Sequence, residues 1–219
     1  YLNIRKKKMS SLNYRKQRIE KLKVEWNLEK INNFFLSWKI PDHLINNLNN
    51  SIKLYISKAL NFDLVLDDDV FLDLVNKNKD NRTNVTPNGA IVPKKEYVLE
   101  YNLFLSEWCK AVNEMIKFNK TLLKRFRLTP NIRIKYGTEL EDNIGRGLDT
   151  AIPHSDAWVE GPWGMNCHMP VLGDTEKNYL NFYKLIDENK FEDNFLDSSE
   201  SYKDMQWVLK YYKEDKIIP

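Results

Sequence analysis

The spacing of apolar residues changes once along the chain, near residue 130, and this change limits the fold more than any other feature. Before it, apolar residues recur three, four or seven positions apart, which is typical of amphipathic helices. After it, several short segments alternate apolar and polar residues, as strands with one buried face do. A helical part at residues 1–129 and a β part at residues 130–219 predict an α+β fold in which long helices back an antiparallel sheet.

Helical spacing is sustained in three segments, the second of which opens with Asp42 as a candidate N-cap. The predicted helices are 9–38, 42–56 and 96–127. Residues 64–74 fit a strand or a short helix equally well. Residues 76–95 are rich in Asn, Asp, Gly and Pro, which predicts a long loop that connects elements or forms a lid.

Four segments of the second part are predicted strands. They are 132–136, 148–158, 164–171 and 179–185, with a Gly173-Asp174 turn before the last. The final stretch, residues 202–219, is interpreted as a segment that leads toward one more strand.

Charge is distributed unevenly although the chain is nearly neutral. With 34 basic and 31 acidic residues the net charge is +3, which gives no case for nucleic acid binding by the molecule as a whole. Residues 5–23 carry nine Lys or Arg and one acid, Glu20. Such a basic amphipathic segment can lie on an anionic membrane or bind nucleic acid, but it is more often a solvated face, here offset by acids such as Asp67.

Cysteine usage and hydropathy indicate the compartment. The two cysteines, Cys109 and Cys167, give no disulfide framework. No run of about 18 apolar residues predicts a membrane span, and the first residues lack the apolar core of a signal peptide. We therefore expect a cytoplasmic protein.

The strongest chemical signal is His154-Ser155-Asp156. Side chains of a strand alternate between its faces, so His154 and Asp156 would project from one face and could hold one ion through an imidazole and a carboxylate. Those are two thirds of the 2-His-1-carboxylate set of non-heme Fe(II) oxygenases. His168 is the third ligand, or the third ligand is absent. A surface pair without a metal is the alternative.

The order of motifs around this pair resembles a known family. An alternating strand and a polar loop precede His154-Ser155-Asp156-Ala157-Trp158, and a Gly-Pro turn, the strand Asn166-Cys167-His168-Met169-Pro170-Val171 and Gly173-Asp174-Thr175 follow. This pattern, over residues 130–186, resembles the phytanoyl-CoA-dioxygenase-like and streptomycin-biosynthesis-like branch of the Fe(II)/2-oxoglutarate oxygenases.

The resemblance implies a double-stranded β-helix, the jelly-roll of cupin-like proteins, with Fe(II) on His154 and Asp156. It also implies a distal His and a later Arg that binds 2-oxoglutarate, and it places His168 beside this co-substrate, with Asn166. The chain departs from the pattern here, because His168 is the only His after Asp156 and no Arg follows Arg146. We expect that the C-terminal strands are missing; the alternative is that His168 completes the triad from an adjacent strand.

The anchor for the co-substrate carboxylate is then sought among Arg133, Lys135 and Arg146. Arg146 is favoured because Gly145 and Gly147 allow its backbone to approach a ligand closely. The expected function is oxygenation of a small molecule such as a metabolite, an acyl derivative or a sugar derivative. The alternative, from a different class, is a non-catalytic jelly-roll binding module.

Overall fold

The structure is a computed structural model that describes part of the chain. The described residues are 17, 20–21, 23–24, 29–30, 36–37, 39–81, 83–86, 89–116, 129–136, 166–174, 181–185 and 212–216. The chain divides into two compact units. The first, called the β unit, comprises Tyr1–Trp38, Ile152–His168 and Leu180–Ile217. The second, called the helical unit, comprises Lys39–Ala151, Met169–Tyr179 and Ile218–Pro219.

The central helix of the helical unit is α1, Asp42–Leu60. From residue 51 onward nearly all of its side chains are buried, so it packs on several sides at once. Its buried residues are Leu48, Ser51, Ile52, Lys53, Tyr55, Ile56, Ser57, Ala59 and Leu60. The helix predicted at 42–56 is confirmed and runs one turn further.

The two ends of α1 are held by different groups. The expectation that Asp42 caps it is wrong, because Pro41 occupies the N-cap and its carbonyl accepts from the Leu44 and Ile45 amides at 2.9 and 3.1 Å. Asp42 lies in the first turn, where its negative charge interacts favourably with the helix dipole. At the other end, the Asn84 and Asn81 side chains donate to the carbonyls of Ala59 and Leu60. The predicted loop at 76–95 thus includes two groups that close α1.

Helix α2 is Asp68–Lys77. It shows that the segment 64–74, for which the sequence fitted a strand or a short helix, is helical from residue 68 onward. Its N-cap is Asp67, whose Oδ1 accepts from the Val70 amide at 3.0 Å. Phe71 and Val75 are buried on its inner face. A capping carboxylate followed by two more acids in the first turn stabilises this short helix at its start.

Helix α3, Val98–Ile116, follows a 3-10 turn at Lys95–Tyr97. It packs on α1 through aromatic side chains: the Tyr55 ring lies 5.3 Å from Tyr101 and 5.9 Å from Phe104, centroid to centroid. The helix predicted at 96–127 is confirmed over α3. Residues 96–97 belong to the 3-10 turn, and residues 117–127 lie outside the described residues.

Among the described residues, the segment predicted as a strand at 132–136 forms one bridge, Ala90 to Arg133. The Ile91 amide donates to the Ile132 carbonyl at 3.0 Å and the Ile134 amide to the Gly89 carbonyl at 2.9 Å. The pairing stops there because the segment that pairs with residues 132–134 turns back at Gly89. The Gly89 amide donates to the Thr86 carbonyl, and the φ of Gly89 is +84°. The prediction of a full strand at 132–136 is therefore wrong.

Residues 166–171 are irregular, so the strand predicted at 164–171 is wrong over these residues. Pro170 lacks the amide that a strand ladder needs. Within the helical unit, Met169, Val171 and Leu172 pack against the core formed by the helices. Gly173 has a φ of +90°, which agrees with the predicted Gly173-Asp174 turn.

Two antiparallel strand pairs occur among the described residues of the β unit. Strand β1, Glu29–Lys30, pairs with β2, Leu36–Ser37, which corrects the helical prediction at those residues. Asn32 and Asn33 lie between the strands and favour a turn, a signal that competes with the apolar spacing. Residues 17, 20, 21, 23 and 24 are helical, as predicted.

The second pair joins β3, Asn181–Leu185, to β4, Tyr212–Lys216. Its register runs from Asn181 opposite Lys216 to Leu185 opposite Tyr212. The strand predicted at 179–185 is confirmed over residues 181–185, and β4 from the final stretch of the chain is its partner; residues 179 and 180 lie outside the described residues. The segment predicted at 148–158 lies outside the described residues. The jelly-roll and the boundary at residue 130 stay predictions.

Candidate functional site

The described part of the predicted oxygenase site is the segment that carries Asn166 and His168. Both residues are exposed and lie in irregular chain, two positions apart. The amide and imidazole of such a pair can hydrogen-bond a carboxylate or carbonyl ligand. The irregular backbone removes the strand on which His168 was expected to stand beside His154.

The other predicted site residues, Arg146, His154 and Asp156, lie outside the described residues. Of the alternative carboxylate anchors, Arg133 and Lys135 are both exposed, on the segment that pairs with residues 89–91. Among the predicted site residues that the structure describes, Asn166 and His168 lie together, as their positions two apart in the sequence already required.

A metal centre complete within the described ranges is not found. No group of three or more His, Cys, Asp or Glu residues placed to hold a metal occurs there. The residues proposed for Fe(II) fit the metal in donor chemistry, because imidazole and carboxylate suit a divalent first-row metal.

Lys53 is a buried cation that the sequence did not single out. Its residue is 3% exposed, and its ammonium donates to the Leu66 carbonyl and pairs with the Asp68 carboxylate. The Nζ atom also lies 5.8 Å from the centroid of the Phe71 ring, within the range of a cation–π contact. These contacts hold the start of α2 against α1, so the role of Lys53 is structural.

Glu107 is the second buried charge of the helical unit. It is 9% exposed, and its Oε1 accepts from the Lys110 ammonium at 2.6 Å. Its Oε2 and the neighbouring Trp108 Nε1 are buried and have no hydrogen-bond partner among the described residues. Among the described residues, a buried acceptor and a buried donor on successive residues of α3 thus lack partners. The apolar spacing of this helix did not predict these two polar atoms.

Three tyrosines meet between α1 and α3. The Tyr97 hydroxyl donates to the Val92 carbonyl, and burial, followed by the nearby Glu96 charge, raises the pKa of Tyr97. Burial raises the pKa of Tyr55 still more, with further contributions from Tyr97 and Tyr101. The hydroxyls of Tyr55 and Tyr97 therefore stay neutral at ordinary pH and are not candidate bases.

Comparisons with known proteins add no assignment. A scan of protein-family models, a search of curated proteins and a search of solved structures each found no match to this chain. Within the described parts of the chain, none of the helices combines the length and the apolar character that crossing a membrane requires.

Proposed function

We propose that this protein is a non-heme Fe(II)/2-oxoglutarate-dependent oxygenase that acts on a small molecule. The observation that carries the proposal is His154-Ser155-Asp156-Ala157-Trp158 followed by the Asn-x-His-x-Pro-Val motif at 166–171. The β3–β4 pair is antiparallel, as the strands of a jelly-roll are, and Asn166 and His168 are exposed to solvent.

Each residue has a defined task in this proposal. His154 would hold Fe(II) through a neutral imidazole nitrogen, and Asp156 would hold it through its carboxylate. Arg146 would bind the far carboxylate of 2-oxoglutarate by donating two hydrogen bonds from its guanidinium. Asn166 and His168 hydrogen-bond the co-substrate and orient it.

When bound, Fe(II) supplies the oxidation, in which O2 converts 2-oxoglutarate to succinate and CO2 and inserts one oxygen atom into a C–H bond of the substrate. The protein contributes coordination geometry, placement of the substrate and exclusion of water.

The test is succinate formation by the native gene product, with Fe(II), ascorbate, 2-oxoglutarate and a panel of metabolites, acyl thioesters and sugar derivatives. His154→Ala and Asp156→Ala should each abolish turnover and Fe(II) binding, because each removes a direct ligand. His43→Ala is the matched control, since His43 is an exposed histidine in the first turn of α1.

Binding is measured separately from turnover, by equilibrium dialysis of Fe(II) and by the visible absorption of 2-oxoglutarate chelated to Fe(II). If the folded native protein binds neither Fe(II) nor 2-oxoglutarate, the oxygenase proposal fails. A non-catalytic binding module is then the better assignment.

A further inference from the structure

We propose that Arg133 and Lys135 together bind a doubly charged anion, the phosphate group of a small phosphorylated molecule. Both residues belong to the helical unit and lie on the segment 132–136. The inference does not depend on the proposed oxygenase activity, in which Arg146 binds the co-substrate.

The backbone of this segment is held in place on both sides of Arg133. The Ile91 amide donates to the Ile132 carbonyl at 3.0 Å, and the Ile134 amide donates to the Gly89 carbonyl at 2.9 Å. The Arg133 side chain therefore starts from a fixed point of the fold. A ligand that binds there does not have to order the backbone first, which lowers the entropic cost of binding.

The two cations share the outward face of the segment. Ile132, Ile134 and Tyr136 pack against the core of the helical unit, whereas the intervening Arg133 and Lys135 are exposed. Alternation of this kind places successive side chains on opposite faces, so both cations project to the same side. Residues two apart in extended chain are separated by roughly 7 Å, a distance over which two long side chains can reach one anion.

The positive charge of this pair is not neutralised by an acidic neighbour in the described part of the chain. Neither residue forms an ion pair with a described carboxylate. Burial, followed by the nearby charge of Arg133, lowers the pKa of the Lys135 ammonium. The two cations are thus close enough to repel each other, and an anion bound between them would interact favourably with both.

The chemistry of the pair favours phosphate over a carboxylate. Arg presents a planar fork of N–H donors, and Lys carries a compact charge with three donors. A phosphate monoester carries a charge of about −1.5 to −2 at pH 7 and three acceptor oxygens, so it can accept from both side chains at once. A carboxylate carries a single charge, and the Arg fork alone occupies both of its oxygens.

The first measurement is the affinity of the native gene product for inorganic phosphate and for glycerol phosphate. It is made by NMR titration at constant ionic strength, with chloride as the reference anion. Saturable binding is expected with both phosphates and not with chloride. Arg133→Gln and Lys135→Gln should each weaken the binding about tenfold, because each removes a charge-assisted hydrogen bond.

The protonation of Lys135 provides a second readout, which a purely structural role of the pair would not move. Reductive methylation with ¹³C labels the lysines, and the Lys135 signal is the one that Lys135→Gln removes. Phosphate should raise the pKa of Lys135, since a nearby anion favours the ammonium form. Arg133→Gln should raise this pKa without any ligand and should reduce the further rise on addition of phosphate.

A matched control is available among the exposed lysines of the same unit. Lys94→Gln with Lys95→Gln removes the same amount of charge as Arg133→Gln with Lys135→Gln, and both control residues are exposed. The control variant should leave the phosphate affinity unchanged. Circular dichroism verifies that each variant is folded.

Three results would overturn the proposal. The first is phosphate that binds no better than chloride, and the second is phosphate binding that neither Arg133→Gln nor Lys135→Gln weakens. The third is binding of succinate or 2-oxoglutarate at the pair as tightly as phosphate, which would identify a carboxylate site instead. The oxygenase proposal is judged separately, since His154→Ala and Asp156→Ala should not change phosphate binding.

Discussion

The buried ammonium of Lys53 pairs with the carboxylate of Asp68, whose side chain remains 67% exposed. The pair joins the middle of α1 to the first turn of α2, and its two members differ in their access to water. Removal of Lys53 leaves a carboxylate that water can solvate. Removal of Asp68 leaves a buried cation without its counter-ion, so the two deletions should differ in cost.

We therefore predict that Asp68→Ala destabilises the protein by about 3 kcal/mol, whereas Lys53→Met costs about 1 kcal/mol or less because the apolar stem volume is retained. Asp69→Ala is the control, since Asp69 lies in the same first turn and lacks this partner. Its effect should stay within about 0.5 kcal/mol. Urea unfolding followed by circular dichroism measures all three. Equal losses for the two members of the pair would contradict this account.

The second prediction concerns Gly89 and Gly173, which share a positive φ but differ in their surroundings. A Cβ on Gly89 would lie 2.1 Å from the Ile134 carbonyl oxygen, whereas the nearest described atom to a Cβ on Gly173 is Leu72 Cδ2 at 3.7 Å. Gly173→Ala should cost about 1–2 kcal/mol from backbone strain alone. Gly89→Ala should cost about 3 kcal/mol or more, because the pairing with residues 132–134 must also shift.

Thermal unfolding of both alanine variants provides the measurement. Comparable losses would mean that the close approach of Gly89 to Ile134 does not govern the position of this segment.

The third prediction contrasts two buried tyrosines. The Tyr97 hydroxyl donates to Val92, whereas the Tyr55 hydroxyl has no partner among the described residues. Tyr97→Phe should therefore destabilise the protein by about 1 kcal/mol, and Tyr55→Phe should leave stability unchanged or raise it by a similar amount. Chemical denaturation at neutral pH tests the sign of each change.

The fourth prediction follows from the raised pKa values of Tyr55 and Tyr97. The unfolded chain releases these protons near the ordinary tyrosine pKa of 10.0, and the folded chain holds them to higher pH. The stability they contribute is complete below that pH and is lost as pH rises above it, by at most about 1.4 kcal/mol per pH unit for each group. Tyr55→Phe should flatten this alkaline loss. An unchanged slope in the variant would show that Tyr55 ionises equally in both states.

The helices of the helical unit could be predicted where their apolar spacing persists over several turns. Helix α1 and the described part of the helix predicted at 96–127 are of this kind. Helix α2 could not be decided because it is short, and its identity depends on the Asp67 cap. The N-cap of α1 was misplaced by one residue because Pro41 and Asp42 both favour a helix start.

Contacts between segments that are distant in the sequence could not be predicted from the spacing of apolar residues. The bridge between Ala90 and Arg133 and the burial of Lys53 beside Asp68 both depend on tertiary contacts that no local spacing encodes. For the candidate site, the sequence supplies donor types and their order. It could not place His168, because Pro170 and the packing of Met169 and Val171 on the core displace the expected strand.

The last prediction concerns metal retention by residues 1–219. If His154 and Asp156 hold Fe(II) as proposed and His168 contacts the co-substrate, two protein ligands leave most of the coordination shell to water, so we expect weak binding that desalting under anaerobic conditions removes. His168→Ala should then leave the residual affinity unchanged, as should the control His43→Ala, while His154→Ala abolishes it. Metal content after desalting measures retention, and equilibrium dialysis of Fe(II) with the spectrum of a Co(II) substitute measures the residual affinity. Tight stoichiometric metal that His168→Ala releases would instead identify His168 as the third ligand and reassign it from the co-substrate to the iron.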